Sequence, residues 1–214
     1  MRQLCTTVLV LVLTIQSIGQ TENKKLFHRF YSNHLKTKVE KKPLQLFAEV
    51  SPQFFAWKGY GGGIGTEFSR FQTGFIYISL ELTPAFRDAF FNNAKTVTVT
   101  HNSAAELFAN IFLRKDRKGF YAGTIYSYDW FSVVDDKTQQ KEDYTGQYML
   151  LRAGFRWFPF QEHFYIDGGY GISFNISGSG DRQLGESKYS AKPIVTIPFF
   201  SIGGRFSLTS KKNK

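Results

Sequence analysis

Residues 164–176 read Phe164-Tyr165-Ile166-Asp167-Gly168-Gly169-Tyr170-Gly171-Ile172-Ser173-Phe174-Asn175-Ile176. Phe164, Ile166, Tyr170, Ile172 and Phe174 fall on even positions. Asp167, Gly169, Gly171, Ser173 and Asn175 fall on odd ones. Alternation at period two over such a length describes a β-strand with one apolar and one polar face. The polar face carries a carboxylate and several glycines, and the apolar face has aromatic rings at both ends. Lipid outside and a small polar interior inside would ask for that arrangement.

The same pattern recurs outward from this stretch and predicts seven more strands, with boundaries good to a few residues. They lie near 44–57 (Leu44, Leu46, Ala48, Val50, Phe54 against Gln45, Glu49, Ser51, Gln53), 60–69 (Tyr60, Ile64, Phe68 against Gly61, Gly63, Gly65, Glu67) and 73–82 (Ile76, Ile78, Leu80, Leu82 against Tyr77, Ser79, Glu81). Next come 105–114 (Leu107, Ala109, Ile111, Leu113 against Glu106, Asn110, Arg114) and 119–131 (Phe120, Ala122, Tyr126, Tyr128, Trp130 against Gly123, Ser127, Asp129). The last are 146–158 (Met149, Leu151, Ala153, Phe155, Trp157 against Arg152, Gly154, Arg156) and 194–208 (Phe200, Ile202, Phe206, Leu208 against Ser201, Gly203, Arg205, Ser207).

Eight strands suit an all-β, closed, antiparallel up-and-down transmembrane barrel. The connections agree. Ser69–Gln72, Lys115–Lys118 and Pro159–Glu162 are short and lie on one side, periplasmic if the N-terminus is. Thr83–Ala104, Ser132–Asp143 and Ser177–Pro193 are long and lie on the other. Tyr60, Tyr128, Trp130 and Phe174 mark an outer aromatic girdle; Phe68, Phe120, Trp157, Phe164 and Phe206 mark an inner one.

On this register the lumen holds Glu49, Glu67, Glu81, Glu106, Asp129 and Asp167 with Arg114, Arg152, Arg156 and Arg205. Such charges must pair in so narrow a space. Phe47, Phe75, Tyr77, Phe108, Tyr121 and Tyr148 are expected inside as well, so the interior is plugged rather than a diffusion pore.

Composition bounds the rest. Aromatics are 17% of 214 residues, with 23 phenylalanines and a net charge of +10. The positive charge gathers in residues 24–42 and in the tail 209–214 and is not interleaved with aromatics on one face, so no nucleic-acid partner is expected. The only cysteine is Cys5. It lies within an expected signal peptide, residues 1–19: Arg2, the apolar run Val8–Ile15, and Ser17-Ile18-Gly19 before a cut at Gly19/Gln20. Residues 20–42 form a basic lead segment. Leu26, Phe27, Phe30, Tyr31 and Leu35 recur within it at helical spacing, which suits an interfacial helix as well as it does a disordered leader. His28 and His34 flank that stripe without further ligands, and no metal or cofactor is expected. Ser177–Asp181 reads as a flexible loop tip without a phosphate motif. Phe86, Phe90 and Phe91 can either reach outward or fold onto the barrel mouth.

The final strand, Ser201-Ile202-Gly203-Gly204-Arg205-Phe206-Ser207-Leu208, resembles the C-terminal assembly signal of outer-membrane barrels, with Ser201, Gly203, Phe206 and Leu208 in its positions. The chain departs from that signal by continuing through Thr209–Lys214. The region 43–208 as a whole resembles the eight-stranded OmpX/OmpA-type barrel domains. That resemblance implies an outer-membrane address, contact with outer-membrane lipids and lipopolysaccharide, and delivery by the barrel-assembly machinery. It implies a non-enzymatic, porin-like but plugged barrel that serves the cell envelope or binds through its loops. A second reading is a lipid-modifying esterase. His101-Asn102-Ser103 is similar to the His-x-Ser motif of outer-membrane lipid A deacylases, with Glu106 as an acidic partner, although Ala104 replaces their asparagine. A third is a soluble secreted barrel carrying a small apolar ligand.

Overall fold

In the computed structural model, residues 44–160, 162–178 and 180–207 are described. The expected signal peptide (1–19) and lead segment (20–42), Leu208 and the tail 209–214 lie outside them.

The strands are β1 (Gln45–Val50), β2 (Tyr60–Phe68), β3 (Phe71–Leu80), β4 (Phe91–Asn92), β5 (Val97–Phe112), β6 (Gly119–Asp135), β7 (Lys141–Phe160), β8 (Phe164–Ser177), β9 (Arg182–Leu184), β10 (Ser187–Ala191) and β11 (Ile194–Ser207). Two short helices, α1 (Gln53–Ala56) and α2 (Pro84–Phe90), and a 3₁₀ turn at Ala94–Thr96 interrupt them. Eight strands close in the order β1-β2-β3-β5-β6-β7-β8-β11, each antiparallel to its neighbours. Pairing of Gln45–Val50 with Ser207–Ile202 closes the ring. The chain is therefore the eight-stranded up-and-down barrel that its alternation predicts. Closure removes most of the free edge that an open sheet would present.

Local chemistry explains the tight side. Ser69 adopts φ 51° and lets a two-residue connection join Phe68 to its partner Phe71, as a hairpin matched to strand twist requires. Inside, Gly65 faces Gly74 across β2 and β3. A Cβ on either would stand within 3 Å of the Phe47 ring, so the pair of glycines makes the seat for that buried ring.

The outer wall is apolar around most of its circumference: Ile64, Leu107, Ile111, Phe120, Leu151, Trp157, Ile172 and Phe206 are all exposed. No described helix is long and apolar enough to cross a membrane, which leaves crossing by strands open.

Three expectations change. The first strand ends at Val50 rather than near Trp57. Beyond Pro52 the chain turns into α1, and Phe54 packs against Trp57 (5.5 Å between ring centroids) while Trp57 packs against Phe86 (3.7 Å). The third strand has its faces exchanged. Ile76 is inside at 7% exposure, whereas Phe75 (42%) and Tyr77 (40%) stand on the wall. Both faces of that strand are apolar in sequence, so alternation alone does not orient it. The amide of Gln72 does: it is buried, accepting from Asn110 and Arg156. Last, the long outer connections are largely folded. β5, β6 and β7 run through them, and β4, β10 and β9 form a separate three-stranded sheet.

Candidate functional site

The interior has three levels. The lowest is a buried layer of ion pairs. Glu67 on β2 is its centre, with Oε1 2.6 Å from Arg156 Nη1 and Oε2 3.0 Å from Arg117 Nε and 3.7 Å from Arg205 Nη1. Asp167 takes the other side of Arg156 at 2.8 Å and accepts the Tyr121 hydroxyl at 2.6 Å. Ring faces complete the layer: the Arg156 guanidinium lies 3.9 Å from the Tyr165 centroid, and that of Arg205 4.2 Å from Phe158. The layer comes from five different strands and one turn, so closing the ring is what assembles it.

Above it lies a cavity of about 140 Å³. Ile76, Ile78, Ile125 and Leu150 give it apolar sides, and Glu49, Glu106, Asp129 and Arg152 give it charge. Glu49 accepts the Tyr165 hydroxyl at 2.8 Å. Asp129 accepts the Ser127 hydroxyl, and the Asn102 amide at 3.3 Å.

The third level is the outer cap. Phe91, Val97, Val99, Phe131, Val133, Tyr144, Leu184 and Tyr189 form a hydrophobic core of its own, with Phe54, Phe86 and Phe90 packed against it. Phe131 stacks on Tyr144 (5.0 Å, 19° between planes) and meets Phe91 edge-on at 5.7 Å. Arg182 pairs with Glu142 at 2.8 Å and covers the Tyr144 ring at 3.9 Å. Residues 83–104 and 177–193 thus fold onto the mouth, the inward of the two courses open to Phe86, Phe90 and Phe91.

The turn after β6 is held by Asp135, whose Oδ1 accepts the N–H groups of Thr138 (2.7 Å) and Lys137 (2.9 Å). The neighbouring Ser187 hydroxyl and these N–H groups hold its carboxyl well below the usual carboxylate range. A depressed folded value means that the stabilisation is present above the unfolded pKa, about 3.9. It is lost as pH falls from there through the folded value. The amide resonances of Lys137 and Thr138 are expected to move on acidification below about pH 4. They should already be displaced at neutral pH in Asp135→Asn. Resonances that do not respond to either change would remove Asp135 as the clasp.

Of the charges expected in the lumen, Glu49, Glu67, Glu106, Asp129, Asp167, Arg152, Arg156 and Arg205 face the interior. Two do not. Glu81 lies beyond the end of β3, where it is exposed and 3.3 Å from Lys58. Arg114 lies past the end of β5 and pairs with Asp116 at 2.7 Å in the solvated turn. In both cases the strand has ended, and strand parity no longer sets direction. Arg117 was missed for the converse reason. It sits in a predicted turn, but at φ 58° its side chain bends under the barrel and becomes fully buried, donating to Gln45 and to Ser69 O at 2.9 Å.

The esterase constellation does not assemble. His101 and Ser103 share the outer face of β5, next to a bulge between Val99 and His101, with Nε2 2.6 Å from Oγ. The Tyr77 hydroxyl is also near Ser103, at 3.4 Å. Glu106 differs in parity, so it points into the cavity on the opposite face and cannot orient His101. A serine–histidine pair without its orienting acid lacks the third member that such a nucleophile uses.

In the final strand Ser201 and Gly203 face inward, while Phe206 is exposed. Gly203 has a packing role: a Cβ there would stand 2.3 Å from the Tyr165 ring.

No protein-family profile and no curated protein sequence matches the chain. Among solved structures it is similar to the N-terminal β-barrel domain of Pseudomonas aeruginosa OprF, at 12% identity over 78% of this chain and 98% of that one, with a TM-score of 0.46. A major outer membrane protein from Thermus thermophilus matches at 10% identity over 76% and 98%, TM-score 0.47. Neisserial surface protein A matches at 13% over 77% and 96%, TM-score 0.39. These are distant likenesses of fold, and the barrel described above stands on its own strand pairing.

Proposed function

We propose that this chain is a non-enzymatic outer-membrane barrel, closed to diffusion, whose folded cap is its working surface toward the outside. Residues 1–19 direct export and are removed before Gln20. The terminal strand through Leu208 engages the assembly machinery, and the wall then contacts outer-membrane lipids and lipopolysaccharide. The observation that carries this reading is the pairing of an apolar, aromatic-girdled wall with a fully buried ion-pair layer. An exposed apolar surface of such extent needs lipid, and a layer of mutually bonded charges leaves no continuous water path.

Envelope fractionation combined with gel mobility of unheated and boiled protein tests the placement, and conductance across a planar bilayer tests the closure. Recovery in the outer membrane, a heat-dependent mobility shift and no steady current are expected. Recovery in the soluble periplasm would overturn the lipid-facing wall and favour a soluble ligand carrier. A stable open current would overturn the closed lumen.

A further inference from the structure

The barrel wall has one incomplete seam. β1 pairs with β11 only between Gln45↔Ser207 and Val50↔Ile202, whereas β11 continues along β8 to Ile194. From Ile194 to Ser201, β11 has a ladder partner on one side only. Pro198 lies in this stretch, and a residue without an N–H belongs at a sheet edge. Among the described residues two side-chain bonds cross the gap: the Phe200 N–H donates to Gln53 Oε1 of α1 at 2.7 Å, and the Ser201 hydroxyl donates to Glu49 Oε2 of β1 at 3.5 Å. Phe174 of the outer girdle stands opposite Ile194, and Phe164 of the inner girdle stands opposite Gly204. The seam therefore occupies the outer half of the wall. The cavity reaches it, since Gln53, Ile197, Phe199, Phe200 and Ser201 all line it.

The cavity is also unbalanced in charge. Glu49, Glu106 and Asp129 face it with a single guanidinium, Arg152. Arg152 is otherwise engaged: Nε donates to Asn110 at 3.0 Å, and the group lies over the Phe108 and Phe199 rings at 4.9 and 5.3 Å. Among the described residues Glu106 and Asp129 enter no ion pair. The Ser127 hydroxyl lies beside both carboxylates, but its single proton goes to Asp129. A volume of about 140 Å³ is close to that of an apolar cavity known to hold benzene, roughly 150 Å³.

The geometry points to a binding site for a small lipophilic amine. It enters through the seam from the outer leaflet, lays its apolar body against Ile76, Ile125 and Leu150, and sets its ammonium between Glu106 and Asp129. An ammonium there supplies the opposite charge that the two carboxylates lack, while its body covers the apolar wall. The entry route rests on the outer-membrane reading above; the binding site does not.

Calorimetry on the folded, full-length barrel in detergent tests the site. The probes are benzylamine and its neutral counterpart, benzyl alcohol. Benzylamine is expected to bind at least tenfold tighter, and Glu106→Gln to bring it down to the level of the alcohol. Asp129→Asn serves as a second variant, and heat-dependent gel mobility confirms that each variant is folded. Equal binding of amine and alcohol, or binding of neither, overturns the site. Entry is tested in lipid nanodiscs with Gln53→Ala, which removes the shorter of the two bonds across the seam. Association and dissociation are both expected to quicken several-fold at nearly constant affinity; unchanged rates overturn the seam as the route. Amine binding by a protein recovered from the soluble fraction would overturn the lipid route alone. Loss of binding by a protein firmly in the outer membrane would leave the envelope reading standing.

Discussion

Glu67→Gln is expected to cost the barrel about 3–5 kcal/mol, the usual penalty for breaking a buried ion pair from one side. Glu67 is fully buried and serves Arg156, Arg117 and Arg205 together. Without its charge the layer holds three guanidiniums against Asp167 alone. Glutamine keeps the shape and adds an N–H₂ donor pointing at cations that are all donors, so the loss is electrostatic and of hydrogen bonding rather than of volume. Urea unfolding in lipid vesicles, followed by gel mobility, should show the midpoint fall. Removing both ends of the shortest pair, in Glu67→Gln with Arg156→Met, should cost less than the sum of the two single changes, because the Glu67–Arg156 contact is then lost once rather than counted twice. A single-variant loss below about 1 kcal/mol would place these groups in the range of solvated surface pairs and refute a dry, closed layer.

Phe131→Ala is expected to cost a similar amount, about 3–5 kcal/mol for a large ring removed from a core, but to spend it locally. Phe131 is buried between Tyr144, Phe91 and Tyr148, all in the cap or at its base. The barrel ladders below it do not depend on that ring. Limited proteolysis should therefore cut in residues 136–140 and 177–187 faster than in the wild type, while heat-dependent mobility of the barrel persists. Loss of the barrel along with the cap would mean that the two fold as one cooperative unit. Resistance unchanged from wild type would mean that the cap core does not hold these loops.

The barrel was legible because lipid outside and polar groups inside write a two-residue period into each strand, as 164–176 shows. The lumen charges on strand interiors were legible by the same parity. Glu67, Arg156 and Asp167 each lie within a strand, where side-chain direction follows from position. Parity gave out wherever both faces are apolar or a strand has ended. Phe75 and Ile76 exchanged sides because both faces of β3 are apolar in sequence. Glu81 and Arg114 left the interior because β3 and β5 stop before them, and Arg117 entered it through a backbone turn. His101 and Ser103, read as the end of a loop, share one face of β5, and strand parity sends Glu106 to the other.

By itself, then, the sequence determined the strand count, the side of the short turns and the charges on strand interiors, since each follows from local alternation and turn chemistry. Only the tertiary structure decided which charges meet, that the outer connections build a cap with its own core, and that β1 stops short and leaves a seam beside a cavity. Those features depend on contacts between residues far apart in the chain, such as Glu67 with Arg156 or Gln53 with Phe200. No local pattern encodes them before the ring closes.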